Sequence, residues 1–367
     1  MSCPKPLIRA ETYEIYRNKK GGISYREKWL PRDLYDEMLT DDSLKLLVPA
    51  KYRRIDQVPC GQCIECRLQY TREWATRAML EKEYGYHEIF DEDGIPLDKG
   101  HKYPENTCWF LTLTYADEYL PAHICVNDET GEIHKGFSVE PDHMKIFWKR
   151  IRSKKKWKNR TIKYINCMEY GSQTHRPHGH AIVFNLPLDI TRFKKMGINK
   201  WGDPYWTTDE LDDCWYDEVT EHPRGHITIG RVTWKSASYV ARYNLKKLLN
   251  RDNDLWYHLQ GINPEYVSMS NNVGLEYLKE NWDKVTATDS VPIINPKSGE
   301  LAKAPKRFMR IIEEIDNDMY RSIKKERRKA GISQEYIMRH NTDLTPEERR
   351  KISEQRMKEV IHDLRGL

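Results

Sequence analysis

The segment 162–184, IKYINCMEYGSQTHRPHGHAIVF, most constrains the fold, because two runs rich in β-branched and aromatic residues flank a polar turn. This pattern predicts a β-hairpin with strands over about 162–168 and 178–184. Side chains two apart in a strand point to the same side, so His178 and His180 share one face of the second strand. Two imidazoles placed in this way can bind one metal ion.

Glu169 follows the first strand of this hairpin, close to the turn. Strand pairing therefore brings its carboxylate against the imidazoles. Two histidines and a carboxylate leave coordination positions open for substrate oxygens, which suits Mg²⁺ or Mn²⁺ acting as a Lewis acid on phosphate. Zinc also accepts these ligands, so they do not settle the ion. The alternative is a His-X-His sequence that has arisen by chance on a surface strand.

A second segment, 238–247 (SYVARYNLKK), predicts a helix with two tyrosines on one face. Tyr239, Tyr243 and Lys246 recur at spacings of four and three, which places them on the same side. A cation there would stabilise a phenolate or the phosphate that it attacks. The alternative is core packing, although a core stripe would not favour the lysine. A histidine pair with such tyrosines is the minimum equipment for breaking a DNA phosphodiester through a phosphotyrosine.

Further periodicities indicate an α+β fold, with helices on one face of a small antiparallel sheet. The segments 107–115 and 226–233 are rich in β-branched and aromatic residues and predict strands. A helix from about Glu140 is predicted to bury four residues at the spacing i, i+3, i+4, i+7. These are Met144, Phe147, Trp148 and Ile151.

Another helix is predicted from about Gln62. Its buried face would contain Leu68, Ala75 and Met79, and Arg72 falls toward the same side. The exposed face would contain Arg67, Glu73 and Arg77.

The charge of the chain is informative in its distribution more than in its sum. The 61 basic and 56 acidic residues give a formal charge of +5. Basic residues crowd 145–163 and 321–329, and acidic ones crowd 209–218. Basic patches interleaved with aromatics suggest a polyanion partner; solvated helix faces are the alternative. The sequence has no export signal and no apolar run long enough to span a bilayer, so we expect no membrane partner and a cytoplasmic site of action.

Three cysteines, Cys60, Cys63 and Cys66, lie at the start of the helix predicted from Gln62. With Cys3 as a candidate fourth ligand they could hold a tetrahedral zinc ion. A single C-x-x-C-x-x-C run is a weaker zinc signal than paired C-x-x-C knuckles. Buried free thiols are therefore the alternative interpretation.

Three regions are predicted along the chain: an extension over 1–60, a central domain over 61–290 and a charged helical region over 291–367. In the last region, Gly331 is expected to break the helix, and TPEE from Thr345 resembles a helix-capping sequence. The pattern does not reveal the role of 188–225.

Several motifs, in order, resemble those of the HUH endonuclease superfamily: FLTLTY, EYG…RPHGHAIVF and YVARYNLKK. Within it the chain is similar to replication initiators of microviruses, above all the gokushovirus group. The likeness extends to VPCGQCIECRLQYTREWATRAMLE and EYVSMSNNVGLEYL, so it covers roughly 55–285. One departure is Gly179 between the histidines, where the family usually has a bulky apolar residue that faces away from the metal.

The resemblance implies a five-stranded antiparallel sheet with flanking helices, an RRM-like palm. It also implies a metal held by His178 and His180 with Glu169 as third ligand, and nucleophiles at Tyr239 and Tyr243. The expected activity is nicking of single-stranded or supercoiled viral DNA at the origin to start rolling-circle replication, with host helicase and polymerase as partners. Rival interpretations are a transposase or relaxase of the same superfamily, and a zinc-stabilised nucleic-acid-binding protein without catalysis.

Overall fold

A computed structural model shows how the predicted strands and helices assemble. The chain divides into two compact units, Met1–Gln69 with Ser333–Leu367, and Tyr70–Ile332. Cys3 lies outside the residues that the structure describes. The described residues are 7–17, 23–31, 51–61, 63–87, 101–104, 106–126, 131, 133–171, 174–199, 202–249, 257, 261–294, 299–345, 348–349, 351–353, 355–356 and 359.

The secondary structure alternates strands with helices along the chain. The strands are β1 (Leu7–Arg17), β2 (Ile23–Leu30), β3 (Arg54–Val58), β4 (Tyr86–His87), β5 (His101–Lys102), β6 (Trp109–Leu113), β7 (Ala122–Val126), β8 (Ile133–Phe137), β9 (Lys163–Tyr170), β10 (Pro177–Phe184), β11 (Lys194–Ile198), β12 (Pro204–Thr207), β13 (Tyr216–Asp217), β14 (His222–Pro223), β15 (Ile227–Arg231), β16 (Tyr266–Met269), β17 (Ser290–Pro292) and β18 (Leu301–Lys303). The helices are α1 (Ile64–Tyr84), α2 (Pro141–Ser153), α3 (Trp234–Leu249), α4 (Leu275–Glu280), α5 (Trp282–Thr288), α6 (Lys306–Ile315) and α7 (Asn317–His340).

A seven-stranded antiparallel sheet forms the centre of the larger unit, in the order β11-β12-β15-β6-β10-β9-β16. The strands predicted over 107–115, 162–168, 178–184 and 226–233 are confirmed as β6, β9, β10 and β15. The sheet is larger than the five-stranded one that the resemblance implies. Two of its strands, β11 and β12, come from the region 188–225, where no strand was predicted.

Helices pack on both faces of this sheet, so the prediction of helices on one face is wrong. On one face α2 buries Met144, Phe147, Trp148 and Ile151, the predicted stripe, in a core with residues of β6 and β10. On the other face α1 and α3 form a second core with alternate residues of β9 and β10. The physical reason is that these two strands are apolar on both sides and are buried along nearly their whole length.

Helix α1 exposes a different set of residues from the one predicted. Ala75 and Met79 are buried as expected, but Arg67 and Arg77 are buried too, and Arg72 is exposed. The Arg77 guanidinium donates to the carbonyls of Val273 and Asn271, both at 2.9 Å, and so satisfies its polar atoms inside the fold. A helical pattern cannot reveal such a burial, because the acceptors lie almost two hundred residues away.

The first sixty residues contain a three-stranded sheet in the order β2-β1-β3, for which the sequence offered no pattern. In the carboxy-terminal region Gly331 lies inside α7, so it does not break the helix as predicted. A glycine costs a helix about 1 kcal/mol and does not end it by itself. The capping sequence is confirmed, because Thr345 and Glu348 exchange hydrogen bonds between side chain and backbone. Among the described helices, none has the length and apolar content to cross a bilayer.

Candidate metal and tyrosine site

Strand register brings the histidines and the glutamate together. In the pair β9–β10, His178 lies opposite Glu169 and His180 lies opposite Cys167. Residues opposite each other in antiparallel strands point to the same face, so all three side chains lie on the face that packs against α3. One ligand atom from each of Glu169, His178 and His180 lies within 4.8 Å of the other two, which makes the group able to hold a metal ion.

The Glu169 carboxylate is the centre of this group. Its Oε1 lies 2.9 Å from His178 Nε2 and 3.3 Å from His180 Nε2. Burial raises the pKa of Glu169, but the hydrogen bonds and charges of the two histidines outweigh it and lower that pKa to about 2. The carboxylate is therefore ionised at neutral pH and supplies a negative charge to the site.

The other ring nitrogens are held by the surrounding strands. His178 Nδ1 lies 3.2 Å from the Arg176 carbonyl, which can only accept, so the proton of a neutral His178 is on Nδ1. Its Nε2 lone pair then faces the Glu169 carboxylate, which is also an acceptor. Two acceptors at 2.9 Å repel each other unless a proton or a cation lies between them. The arrangement therefore favours a bound cation.

Two residues that sequence reasoning missed complete the surroundings of His180. Thr112 on β6 lies opposite His180, and its hydroxyl is 3.0 Å from His180 Nδ1. Phe110, two residues earlier, stacks on the His180 ring with centroids 5.6 Å apart. Their alternation in FLTLTY was the available signal, but it needs the strand order to show which neighbour they face. A partner at the second nitrogen orients a histidine ligand and fixes its tautomer.

Tyr239 on α3 reaches the same group. Its half-buried phenol oxygen lies 3.5 Å from Glu169 Oε1, and its ring packs edge-on to His180 with centroids 5.1 Å apart. The Arg242 guanidinium lies 5.9 Å from the centre of the Tyr239 ring. Tyr243 and Lys246 belong to the same helix, but their side chains lie outside the described part of the structure. The structure thus brings Tyr239 to the predicted ligands.

Gly179, between the histidines, points away from them. A Cβ atom built on it would lie 2.7 Å from Met168 Sδ and 3.5 Å from Met144 Sδ. Met168 and Met144 are both buried between the sheet and α2. Methionine sulfur therefore occupies the volume that a larger residue at this position would fill, which accounts for the departure from the usual apolar residue.

We predict that Gly179→Leu lowers the free energy of unfolding by about 1–3 kcal/mol, because it overpacks this core. Met168→Ala opens space at the same point, so the two changes together should be at least about 1 kcal/mol less destabilising than their sum. Urea unfolding of both single variants and the double variant measures this coupling. Additive effects would show that Met168 does not fill the Gly179 position.

The three cysteines form a second group. One sulfur atom from each of Cys60, Cys63 and Cys66 lies within 4.8 Å of the others, and the Cys63 amide donates to Cys60 Sγ at 3.2 Å. Tetrahedral zinc with Zn–S bonds of about 2.3 Å separates its sulfur ligands by about 3.8 Å. The spacing therefore fits three ligands of such an ion. Whether Cys3 is the fourth stays a prediction.

If these thiols hold zinc, the purified protein should contain about one zinc atom per chain after dialysis. Cys63→Ser should remove that zinc and lower the melting temperature, because a structural metal stabilises only the folded state. Elemental analysis and thermal unfolding measure both effects, and Cys108→Ser is the control that should keep the zinc. A wild-type protein without zinc, with an unchanged melting temperature for Cys63→Ser, would leave the cysteines as thiols.

The chain resembles replication proteins of several phages. A family model described as replication-associated protein ORF2 matches residues 108–248, which include Thr112, Glu169, both histidines and Tyr239. The replication-associated protein ORF2 of Spiroplasma virus 4 is 33% identical over 361 residues, which cover 96% of this chain and 95% of that protein. The replication-associated protein VP4 of Bdellovibrio phage phiMH2K is 30% identical over 252 residues, 67% of this chain and 65% of that one.

A third relative, the replication-associated protein ORF4 of Chlamydia phage 1, is 24% identical over 195 residues, 52% of this chain and 39% of that one. No solved structure matches the chain. The similarity to the Spiroplasma virus protein extends over nearly the whole of both chains, well beyond the segment that contains the site. The chain therefore belongs to the family of phage replication-associated proteins.

Proposed function

We propose that this protein initiates rolling-circle replication of a microvirus genome as an HUH endonuclease, by nicking one DNA strand at the origin and joining its 5′ end to Tyr239. One observation carries the proposal: the Tyr239 phenol oxygen lies 3.5 Å from Glu169 Oε1, inside a group of three candidate metal ligands. A nucleophile and a phosphate-binding cation are thus available at one point.

The donor set fits the proposed ion. Octahedral Mg²⁺ with bonds of about 2.1 Å places adjacent ligands about 3 Å apart. The distances from Glu169 Oε1 to the two Nε2 atoms, 2.9 and 3.3 Å, agree with this spacing. Glu169, His178 and His180 would hold Mg²⁺ or Mn²⁺, which when bound would act as a Lewis acid on the scissile phosphate and stabilise the leaving 3′ oxygen.

In the proposed step the Tyr239 oxygen forms a bond to phosphorus, and the bond from phosphorus to the 3′ oxygen breaks. The phenol proton is lost to solvent, and the leaving oxygen takes up a proton to become a 3′ hydroxyl. The nearby Arg242 guanidinium favours the phenolate over the neutral phenol. Because a phosphodiester replaces a phosphodiester, a later attack can rejoin the strand without ATP.

We assign the second nucleophile to Tyr243 and phenolate or phosphate stabilisation to Lys246, from their spacing on α3. The region 61–290 is proposed as the endonuclease domain, with 1–60 and 291–367 as its flanking regions. The substrates are single-stranded and supercoiled viral DNA, the partners host helicase and polymerase, and the site of action the cytoplasm of the host bacterium.

The test incubates the protein with labelled single-stranded viral DNA and Mn²⁺ or Mg²⁺, and then separates the products under denaturing conditions. The proposal requires a covalent adduct that depends on the ion and is absent in EDTA. DNA binding without any adduct would instead support a nucleic-acid-binding protein that lacks catalysis.

A further inference from the structure

Much of the basic segment 145–163 is neutralised within the chain by the acidic segment 209–218. This corrects the expectation that the whole basic segment is offered to a polyanion. Each acidic partner lies beside a cation of α2 or of the loop after it. The pairs are Arg150 with Glu218 at 2.8 Å, Lys154 with Asp213, and Lys156 with Glu210.

Arg152 and Arg160 are exceptions in this segment, since neither forms an ion pair with any carboxylate of the described residues. Arg152 Nη2 donates to the carbonyl of Ile162 at 3.1 Å. Arg160 Nη1 donates to the side-chain carbonyl of Asn185 at 3.1 Å. Burial lowers the pKa of the Arg160 guanidinium, and no acidic neighbour offsets this. Both side chains are thus fixed in place by neutral acceptors and keep an unneutralised charge.

These two guanidinium groups line one cleft of about 320 Å³ at the amino end of β9. Lys163, Ser270 and Asn272 also line it. Lys163 is already paired with the buried Glu81 at 2.8 Å and donates to the Asn272 carbonyl at 3.2 Å, so it holds the wall of the cleft. The two arginines remain as the cations available to a ligand.

We propose that this cleft binds a backbone phosphate of the DNA strand on which the metal and tyrosine site acts; the inference rests on the proposed function. A guanidinium pair matches the oxygens of a phosphate diester. Exposed Lys155 and Lys158 lie between the two arginines in the chain, and neither forms an ion pair with a described carboxylate. A strip of cations around the cleft suits an extended polyanion better than a single phosphate ion.

The cleft lies along the same strand as the candidate ligands. Lys163 and Glu169 are six positions apart in β9, which corresponds to about 20 Å at a rise of about 3.3 Å per residue. About six phosphates of one strand span that distance at about 3.4 Å each. A phosphate held in the cleft would therefore fix the distance of the scissile bond from Tyr239.

The test compares Arg152→Gln/Arg160→Gln with two other double variants in a Tyr239→Phe background, which prevents cleavage. Arg152→Lys/Arg160→Lys keeps the charge, and Lys279→Gln/Lys284→Gln removes two exposed charges of α4 and α5 outside the cleft. Fluorescence anisotropy with a single-stranded 30-mer in EDTA gives Kd at several salt concentrations. Thermal unfolding reports whether each variant is folded.

The glutamine pair should raise Kd about tenfold and lower the slope of log Kd against log salt by about 1.4, since each phosphate contact of a single strand contributes about 0.7. The lysine pair should keep a slope close to that of the parent, and so should Lys279→Gln/Lys284→Gln. An unchanged slope for the glutamine pair would overturn the inference. So would equal losses in all three double variants, or tight binding of inorganic phosphate without any change in the DNA slope.

The wild-type chain is assayed in parallel for the covalent adduct. An adduct together with an unchanged slope would refute the cleft alone. Absence of any adduct from the wild-type chain would refute the proposed function, whatever the cleft variants do.

Discussion

Replacement of His178 or His180 by alanine is expected to abolish metal-dependent nicking and to leave the chain folded. Each imidazole supplies a ligand atom to the group around Glu169 and only a small part of the apolar core. Loss of the ion removes several kcal/mol of charge stabilisation at the phosphate, and about 4 kcal/mol corresponds to a rate about 10³ times lower. Adduct formation with a labelled oligonucleotide measures the rate, and thermal unfolding checks the fold.

His222→Ala is the matched control, because His222 is exposed on β14 and lies outside the group. Glu169→Ala should be less severe, since water can occupy the vacated position, and it should shift the Mn²⁺ titration to higher concentration. Full nicking by His178→Ala or His180→Ala would rule out the metal site. An identical titration for Glu169→Ala and wild type would remove Glu169 from the ligands.

The second large effect concerns the division of labour between the two tyrosines. Tyr239→Phe should lose nearly all of the first nick, because its phenol oxygen is the one beside Glu169. Tyr243→Phe should still nick a simple oligonucleotide but should not release unit-length circles. The reason is that Tyr239 stays bonded to the first 5′ end while the regenerated origin must be cut again. Tyr243 is one helical turn away, about 6 Å along the axis, and can replace it at the same ion.

Both halves of this prediction have direct readouts. Single-turnover nicking of an oligonucleotide isolates the first step, and product analysis on a circular template isolates the release of circles. Mass spectrometry of the DNA-linked peptide identifies the tyrosine. A linked tyrosine other than Tyr239 or Tyr243 would refute the assignment, and equal labelling of the two would mean that either acts first.

Much of the architecture was readable from local pattern. The buried stripe of α2, the β-branched runs of β6, β9, β10 and β15, and the capping sequence at Thr345 all appear where the spacing predicts them. Each depends on residues close together in the chain, so periodicity alone reveals it. The shared face of His178 and His180 follows from the same period of two.

The errors lie where a partner comes from elsewhere in the chain. Arg77 is buried because the carbonyls of Val273 and Asn271 accept its hydrogen bonds. The basic segment is partly neutralised because acidic residues some sixty positions later fold against it. Strands β11 and β12 exist because they extend an edge that other strands have already formed.

The sequence by itself determined the residue types of the candidate site and their local spacing: two histidines two apart, and a tyrosine on a helix that follows a strand. Only the tertiary structure decided that Glu169 lies opposite His178, that Thr112 contacts His180 and that Tyr239 meets all of them. Spacing along a strand or helix is set by backbone geometry within one element. Distances between elements depend on strand order, register and the packing of α3 on the sheet, and these arise only when the whole core forms.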